Sequence, residues 1–392
     1  MNLKKKKIKI ILITVNRSDY GIQKNLIKKL NENKNISFKL VVSGSHLDTK
    51  FGLTKNEIIA DNVKIDEMFN VLAKKNKDSE REVLYNLSVS IKKFTEIYIR
   101  LKPDIIIILG DRYEMLSAAI PSIILNIPVA HIHGGELTYG SFDDSIRHCI
   151  TKIAKIHFVC HEKYKKRVVQ MGEDPSLVFN VGSLSVENIS KFKLFSKKQI
   201  EKKLKIKFSK KNILIAFHPL TTEKKKTKKT FLNLIKSIEK FKYINFFFSY
   251  PSPDPGNLFI REKLKKLSKK NSNFYLIKSF GQNYFHSMLN EVDAIIGNSS
   301  SGIIEAPSFN TATINIGNRQ KGREQSNNII NSSYEIDSIT NSIKKIYSPN
   351  FKKILEKNKN IFYKKNTANK IINVLSKIDL KKINQKKFKD LN

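Results

Sequence analysis

The chain has 392 residues, of which 40% are hydrophobic, and a formal net charge of +38 at pH 7. This length favours two domains over one core, and no apolar run reaches the roughly 18 residues of a membrane span. Most of the 73 basic residues are lysines, spread along nearly the whole chain without interleaved aromatic residues, which argues against nucleic-acid binding. The basic start leads into a short apolar run that predicts a first strand rather than a signal peptide. We expect a cytoplasmic protein without nucleic-acid or membrane partners.

The first half alternates short, β-branched apolar runs with longer helical patterns, which is typical of a parallel sheet with crossover helices. Helices are predicted at 21–33, 79–101 and 114–125. The predicted strands cover 8–15, 38–43, 64–69, 104–109, 128–133, 156–160 and 178–181. This half is expected to form a Rossmann-like domain over residues 1–182.

The second half repeats this architecture after a polar, helical stretch at 183–209. Its predicted strands cover 212–217, 244–250, 274–277, 293–297 and 312–316. Helix and a basic tail at 382–392 follow, and we expect that tail to be frayed. The fold class is therefore α/β, with a second Rossmann-like domain over 183–367 and a cleft between the two doubly wound halves. Ligands of such sheets bind beyond the carboxyl ends of the strands.

The first predicted strand is followed by Asn16-Arg17-Ser18-Asp19-Tyr20-Gly21, which opens a helix. A helix N-terminus receives phosphate oxygens well, and Arg17 could add a charge-assisted hydrogen bond. The alternative is that Asp19 only caps the helix. No Gly-x-Gly-x-x-Gly motif follows any predicted strand, so no nicotinamide or flavin cofactor is expected.

The most apolar strand is followed by Gly110-Asp111-Arg112. A carboxylate at the end of a buried strand is costly to bury unless it has a partner. Asp111 could therefore be a general acid or base with a raised pKa, or it could simply pair with Arg112.

The densest polar segment begins with His131, His133, Gly134-Gly135 and Glu136. The two histidines are expected on one face of a strand, and the glycines let the backbone approach a ligand closely. Acid–base chemistry, a metal site and a structural network all remain open for this segment. The metal is disfavoured because no His-x-x-x-His pair is present.

Asp143 is expected to begin a helix that carries Arg147 one turn later on the same face. The chain has two cysteines, Cys149 and Cys160, without metal-ligand spacing. They are expected to be ordinary, partly buried thiols in a reducing compartment.

In the second half, His218 ends a predicted strand, and Gly297-Asn298-Ser299-Ser300-Ser301-Gly302 follows another strand. Small residues at such a turn let backbone and hydroxyl donors converge on a diphosphate. The alternative is an ordinary serine-rich helix cap. Glu305 could accept both hydroxyls of a ribose, and the cationic loop 318–324 suits phosphate oxygens.

Together these motifs resemble the hydrolysing UDP-N-acetylglucosamine 2-epimerases of sialic-acid and legionaminic-acid pathways, over residues 10–378. The resemblance implies a glycosyltransferase-B-like fold in which a helix at about 368–378 crosses back to the first domain. It also implies a reaction on a nucleotide-sugar substrate. No metal or redox cofactor is expected, because the sequence has no dinucleotide fingerprint and no good ligand cluster. An acid–base pair removes the C2 proton, the nucleotide diphosphate leaves C1, and water adds to the resulting 2-acetamidoglucal. The product would be a free sugar of the N-acetylmannosamine type.

By motif position, the resemblance assigns catalysis to Asp111 and Asp143. It assigns nucleotide contacts to Arg17, Arg112, His218, Ser299, Ser300, Glu305 and Arg319. With the other polar motifs described above, the full set of candidates is wider. The expected catalytic residues are Asp111, His133, Glu136, Asp143 and His218. The expected substrate or nucleotide contacts are Arg17, Gly21, Arg112, Arg147, Ser252, Phe280, Ser299, Ser300, Glu305, Arg319 and Arg323. Two positions depart from the family pattern, because His133 stands where several relatives have Glu and 252–256 differs from a common Asn-x-Asp-x-Gly motif.

Several points stay open after the resemblance. The sugar could be N-acetylglucosamine or a 4-acetamido-4,6-dideoxy relative, and the nucleotide could be UDP or GDP. A glycosyltransferase of the same fold and a non-catalytic nucleotide-sugar binder are the alternative functions. A homo-oligomer, either dimer or tetramer, is expected.

Overall fold

A computed structural model of the chain describes residues 7–71, 79–139, 141–191, 193–220, 224–251, 254–278, 280–380, 383 and 385–390. The basic residues before Lys7 lie outside this part. Among the described residues, no helix combines the length and the apolar character needed to cross a bilayer.

The elements up to residue 189 alternate between strand and helix. They are β1 (Ile8–Thr14), α1 (Arg17–Glu32), β2 (Ile36–Val42), α2 (Lys55–Ala60), β3 (Glu67–Met68), α3 (Glu80–Leu101), β4 (Ile105–Leu109), α4 (Tyr113–Ile124), β5 (Val129–Ile132), α5 (Asp143–Ile153), β6 (Ile156–Val159), α6 (Glu162–Gln170), β7 (Val178–Asn180) and α7 (Leu184–Ile189).

The elements from residue 197 onward repeat the alternation and end in helices. They are α8 (Lys197–Leu204), β8 (Asn212–Ala216), α9 (Lys224–Ile238), β9 (Asn245–Ser249), α10 (Asn257–Lys270), β10 (Phe274–Ile277), α11 (Gln282–Glu291), β11 (Ala294–Gly297), α12 (Ser300–Ile304), β12 (Ala312–Ile316), β13 (Ile329–Ser332), α13 (Ile336–Ile346), α14 (Pro349–Glu356) and α15 (Thr367–Lys377).

The first compact unit comprises residues 1–136, 143–188 and 362–392. Its seven strands form one parallel sheet in the order β3-β2-β1-β4-β5-β6-β7. The five residues of β4 are all fully or almost fully buried because helices cover both faces of the sheet. Helix α15 belongs to this unit and packs against α1.

The second unit comprises residues 137–142 and 189–361. Its six strands are also parallel, in the order β10-β9-β8-β11-β12-β13. Phenylalanine and isoleucine side chains of β8, β9, β11 and β12 fill the core on the two faces of the sheet. Each unit is a Rossmann-like α/β domain, so the predicted fold class is confirmed at the level of the domains.

In each sheet, the strand order runs in one direction from one strand of a central pair and in the opposite direction from the other. Ligands bind at such a topological switch point. The pair is β1 and β4 in the first unit, and β8 and β11 in the second. The loops that follow these four strands contain Arg17, Asp111, His218 and Asn298. The fold therefore places four of the sequence motifs at the two positions where a parallel sheet can receive a ligand.

Four features of local structure differ from the predictions. Strand β13 was not predicted, helix α1 begins at Arg17 whereas the helical period was placed at 21–33, and β3 is present within the predicted 64–69 but covers only Glu67–Met68. The fourth difference concerns the basic tail, which is not frayed over residues 385–390, because Lys386 and Lys389 are hydrogen-bonded to the first unit.

Candidate active site

An ion pair between Asp111 and Arg147 lies at the carboxyl end of β4. Gly110, with φ +76°, turns the chain out of the strand, so that Asp111 follows it directly. The Oδ2 atom of Asp111 accepts a hydrogen bond from Nη2 of Arg147. Asp111 is therefore paired with Arg147, whereas the sequence suggested Arg112.

Arg147 connects Asp111 to the loop that follows β5. Its side chain is only 2% exposed, and its Nη1 atom donates to the backbone oxygen of His133 at 2.7 Å. The same nitrogen lies 3.7 Å from Oε2 of Glu136. Burial alone would lower the pKa of Arg147, but the charges of Asp111, Glu136 and Asp143 hold that pKa above its usual value. The guanidinium is thus a fixed positive charge beneath the loop.

His133 and Glu136 form a buried pair next to this guanidinium. Nδ1 of His133 lies 2.9 Å from Oε1 of Glu136, and the Cys160 thiol donates to the same oxygen at 3.2 Å. In the described part of the chain, the buried Nε2 atom of His133 has no hydrogen-bond partner. A His–carboxylate pair with one unused ring nitrogen is the arrangement of a general acid–base group.

The backbone at His133 departs from the predicted strand. Strand β5 ends at Ile132, and His133 adopts φ +67°, in the left-handed region that non-glycine residues seldom occupy. The prediction that His131 and His133 share one strand face was therefore wrong. Unusual backbone of this kind is concentrated at functional sites.

His131 supports the site from within the protein. Its Nε2 lies 2.8 Å from the Gly110 oxygen and its Nδ1 lies 3.2 Å from Oγ1 of Thr151. Burial lowers the pKa of His131 to about 3, so the ring is neutral. His131 thereby ties β5 to the loop after β4 and to α5.

Helix α5 begins at Asp143 and carries Arg147 one turn later, as predicted. Asp143 is 4% exposed and contributes to the charge around Arg147. An acidic residue in the first turn of a helix is also stabilised by the helix dipole. The helix therefore brings two of the expected site residues to one place.

Asp19 is a further candidate for acid–base chemistry. The sequence suggested only a helix-capping role for this residue. The cap of α1 is instead Asn16, whose side chain accepts from the Asp19 amide at 3.0 Å and donates to its carboxylate at 2.9 Å. Burial raises the pKa of Asp19 to about 7, against the opposing charge of Arg112. Such a pKa suits a group that exchanges protons at neutral pH. Burial itself, which the sequence does not show, was the missing signal.

The other expected contacts in the first unit occupy different environments. Burial lowers the pKa of Arg17, at the start of α1. Arg112 precedes α4, with its Nε 3.4 Å from Oε2 of Glu114. Gly21 lies inside α1, where its backbone oxygen accepts from Asn188 at 2.8 Å. Gly21 therefore serves helix packing, while the two arginines lie near strand ends.

In the second unit, the loops after β8 and β11 are joined through Asn298. Its Oδ1 accepts from the His218 amide at 2.7 Å, and its Nδ2 donates to the His218 oxygen at 2.9 Å. Nη1 of Arg319 and the side-chain amide of Gln320 both donate to the Asn298 backbone oxygen, at 3.0 and 2.9 Å. Asn298 was not among the expected site residues, although it organises three of the loops around them.

Ser299 caps α12, and its hydroxyl accepts from the Ser301 amide at 3.4 Å. Ser300 is the first residue of this helix. Glu305 was expected one turn inside the helix, but α12 ends at Ile304, and Glu305 follows it with its Oε1 3.4 Å from Nε2 of His286. The short helix thus has Ser300 at its first turn and Glu305 at its end.

Two of the three remaining expected contacts, Arg323 and Phe280, make structural contacts within the second unit. Arg323 donates to the Leu137 oxygen at 2.9 Å and to Oγ1 of Thr138 at 3.3 Å, and so fixes the loop after Glu136. Phe280 lies in the core of the second unit, 4% exposed. Ser252 lies outside the described residues.

His133, Glu136 and Cys160 each also offer an atom that could bind a metal ion, and these three atoms all lie within 4.8 Å of one another. Nitrogen, carboxylate and thiolate are ligands that zinc accepts. In this structure, however, Glu136 is hydrogen-bonded to both partners and lies beside the Arg147 cation. Cys160 is buried and Cys149 is exposed, so the expectation of two partly buried thiols was wrong.

The sequence profile of the UDP-N-acetylglucosamine 2-epimerase family matches residues 28–376. The chain belongs to this family. It is 39% identical to the Campylobacter jejuni protein named GDP/UDP-N,N'-diacetylbacillosamine 2-epimerase (hydrolyzing), with 98% of this chain and 100% of that protein covered. It is 36% identical to polysialic acid biosynthesis protein P7 of Escherichia coli, with 97% and 96% covered.

The structure is also similar to that of the UDP-GlcNAc 2-epimerase from Neisseria meningitidis, solved with UDP-GlcNAc bound. The TM-score is 0.80 at 19% identity, over 95% of this chain and 100% of that chain. The predicted fold class and family resemblance are confirmed. The chain is a 2-epimerase, and the glycosyltransferase alternative is less supported.

Proposed function

We propose that the enzyme is a hydrolysing 2-epimerase that acts on a nucleotide-linked diacetylbacillosamine. It releases the free 2-epimeric sugar and the nucleotide diphosphate. The observation that carries this proposal is the group formed by the partly exposed Asp111 and the buried Arg147, Glu136 and His133 at the carboxyl ends of β4 and β5.

The reaction needs groups that move a proton at C2. A base accepts the C2 proton, the C–H electron pair becomes a C1–C2 double bond, and the C1–O bond breaks as the nucleotide diphosphate leaves. Water then bonds to C1 while a proton is delivered to C2 on the opposite face. Because the C2 proton is very weakly acidic, these steps require positioned acid–base groups.

Two groups of the first unit suit this work. Arg147 keeps the Asp111 carboxylate oriented. With Glu136 accepting from Nδ1–H of His133, the Nε2 lone pair of that ring can take or return a proton. The pair made by His133 and Glu136 would thus perform the task that a glutamate at this position performs in several relatives. Asp143, Asp19 and His218 are further candidates for proton transfer.

The second unit offers the groups for the nucleotide diphosphate. Arg319, Ser299 and Ser300 lie around Asn298, and a phosphate oxygen is a suitable acceptor for their donors. Glu305 follows the same helix and would accept the ribose hydroxyls. Arg17 and Arg112 of the first unit are further candidate nucleotide contacts.

The choice of sugar is supported by the printed name of the relative that is 39% identical over almost the whole of both chains. Its printed name contains both UDP and GDP, so the nucleotide is left to experiment. The enzyme would act in the cytoplasm, as a homo-oligomer, and would feed the synthesis of a sialic-acid-like sugar.

The experiment that tests this proposal is incubation with UDP-N-acetylglucosamine and with UDP- and GDP-diacetylbacillosamine, with products followed by NMR. We expect one of the diacetylbacillosamine substrates to give the free 2-epimer and nucleotide diphosphate at the highest kcat/KM. A higher kcat/KM with UDP-N-acetylglucosamine would overturn the sugar assignment. Sugar transfer to an added acceptor, without a free 2-epimer, would overturn the reaction.

A further inference from the structure

The segment of residues 385–390 lies on the first unit, against the end of α5 and the turn between α6 and β7. It follows α15, and the sequence predicted that it would be frayed. Its contacts instead combine a half-buried ammonium group, an aromatic ring and a backbone hydrogen bond.

Lys386 caps the carboxyl end of helix α5. Its Nζ donates to the backbone oxygens of Lys152 at 2.5 Å and Ala154 at 2.6 Å. The last carbonyls of a helix have no partner within the helix and carry partial negative charge. A cation held on them therefore stabilises this end of α5.

The same ammonium group binds a buried carboxylate. Oε2 of Glu173 lies 2.7 Å from Nζ of Lys386 and 3.0 Å from Nε2 of His157, and its Oε1 lies 2.7 Å from Nζ of Lys152. Burial would raise the pKa of Glu173, but the hydrogen bonds from His157, Lys152 and Lys386 hold it at about 2. Glu173 is therefore ionised at every physiological pH, and Lys386 has a permanent partner.

Phe388 and Lys389 fasten the segment at a second point. The ammonium of Lys152 lies 4.8 Å from the centroid of the Phe388 ring. The Lys389 amide donates to the Gly172 oxygen at 3.0 Å. Gly172 has φ +82°, and a methyl group there would lie 2.3 Å from the Phe388 ring, so this contact depends on a glycine.

Helix α5 links this segment to the candidate active site. Its first two turns carry Asp143 and Arg147, and its last carbonyls are held by Lys386. Strand β6 makes a second connection, since His157 pairs in register with His131, which contacts the loop of Asp111.

We propose that residues 385–390 form a clamp that positions Arg147 through helix α5, with Lys386 as the central positioning residue. The effect on turnover rests on the proposed function, whereas the ordering of α5 does not. Without the cap, α5 would fray at its carboxyl end and Arg147 would hold Asp111 and the His133 loop less firmly.

The test compares Lys386→Met with Lys386→Arg, and with Lys387→Met as the matched control, because Lys387 is the exposed neighbour in the same segment. Three quantities are measured: amide hydrogen exchange in α5, kcat and KM with the nucleotide sugar, and the Kd of UDP. Small misplacements of a catalytic group can lower a rate up to about 100-fold.

We expect Lys386→Met to speed exchange in α5 and to lower kcat by roughly 10-fold or more, with the Kd of UDP unchanged. Lys386→Arg should restore most of kcat, and Lys387→Met should match the wild type in all three measurements.

If amide hydrogen exchange in α5 of Lys386→Met is as slow as in the wild type, the clamp is overturned. A normal kcat of this variant, measured at a temperature where it is folded, would also overturn it. The exchange measurement decides the ordering of α5 even if the wild type releases no 2-epimeric sugar, and in that case only the proposed function fails.

Discussion

Arg147 is the residue on which the charge balance of the first-unit site depends. Its buried guanidinium faces the carboxylates of Asp111 and Glu136 and the backbone oxygen of His133. Removing a partner from a buried ion pair leaves a charge uncompensated and is strongly destabilising. Substitutions here must therefore keep the shape and a hydrogen-bond acceptor, so that an effect on chemistry can be separated from an effect on folding.

Asp111→Asn satisfies this requirement, because the amide oxygen can still accept from Arg147 but cannot act as a base at neutral pH. General acid–base groups contribute about 10²–10⁴-fold in rate. We expect this variant to stay folded, to bind UDP normally and to lose at least about 100-fold in kcat. Steady-state kinetics and calorimetry measure these quantities.

The control is Asp337→Asn, since the side chain of Asp337 is 92% exposed on α13. A near-normal kcat of Asp111→Asn, or a loss of turnover that merely follows a loss of folded protein, would remove Asp111 from the proposed mechanism.

Asp19 gives a prediction about stability and pH. Its ordinary pKa of 3.8 is raised to about 7 in the folded protein, mainly by burial. Between these values the folded state holds a proton that the unfolded state has released, so the free energy of unfolding falls as pH rises. An Asp19→Asn variant has no carboxyl group to titrate, so its free energy of unfolding should not fall in this way. Relative to the wild type, its free energy of unfolding should therefore rise by up to about 1.4 kcal/mol per pH unit between these two pH values.

Urea unfolding at about pH 5 and about pH 8 measures the difference, again beside Asp337→Asn. If the Asp19→Asn and wild-type curves run parallel in pH, the Asp19 pKa lies near its usual value, and the residue loses its candidacy as a neutral-pH acid or base.

At the scale of elements, sequence reasoning succeeded where a strand is buried on both faces. The run at 105–109 is a continuous apolar stretch, and hydrophobicity alone identifies it. Strand β13 was missed because it is an edge strand with only Ser332 fully buried and a polar Asn-Ser end. Its two isoleucines are only partly buried, so its apolar pattern is weak.

The site was predicted less completely than the strands. The loops after β4, β8 and β11 were identified from their residue types. The partner of Asp111, the role of Asn298 and the position of Cys160 were not, because each depends on elements distant in sequence. The docking of Lys386 on α5 was missed for the same reason, over a separation of more than two hundred residues.

The loop after β12 provides a test of nucleotide binding in the second unit. A charged hydrogen bond contributes about 1.5–3 kcal/mol, so Arg319→Ala should weaken UDP binding by that amount. Lys321→Ala is the matched control, because Lys321 is an exposed cation of the same loop. Titration calorimetry with UDP measures both, and an unchanged affinity of Arg319→Ala would exclude Arg319 as a phosphate contact.

At the scale of the whole molecule, each of the two Rossmann-like units contains candidate site residues of its own. The first unit contains the buried carboxylates and histidines, and the second contains the polar turn around Asn298. The family and the fold class follow from motifs in order along the chain. The identity of the sugar does not follow from these motifs, because none of them indicates which groups the sugar carries at C4 and C6.

The whole enzyme is expected to work without a metal ion or a redox cofactor, since its own side chains can move the proton. Activity after dialysis against EDTA should match that of the untreated enzyme. Activity that is lost with EDTA and restored by a divalent ion would contradict this expectation, and His133, Glu136 and Cys160 would then be the first ligands to test.

The measurement that tests the central claim most directly is turnover of the preferred nucleotide sugar in deuterated water, with the released sugar analysed by NMR. Elimination followed by addition of water replaces the proton at C2 with one from solvent. We predict that every molecule of released 2-epimer contains deuterium at C2. A released sugar that retains its original C2 proton would contradict the elimination mechanism and the acid–base roles proposed for Asp111 and for His133 with Glu136.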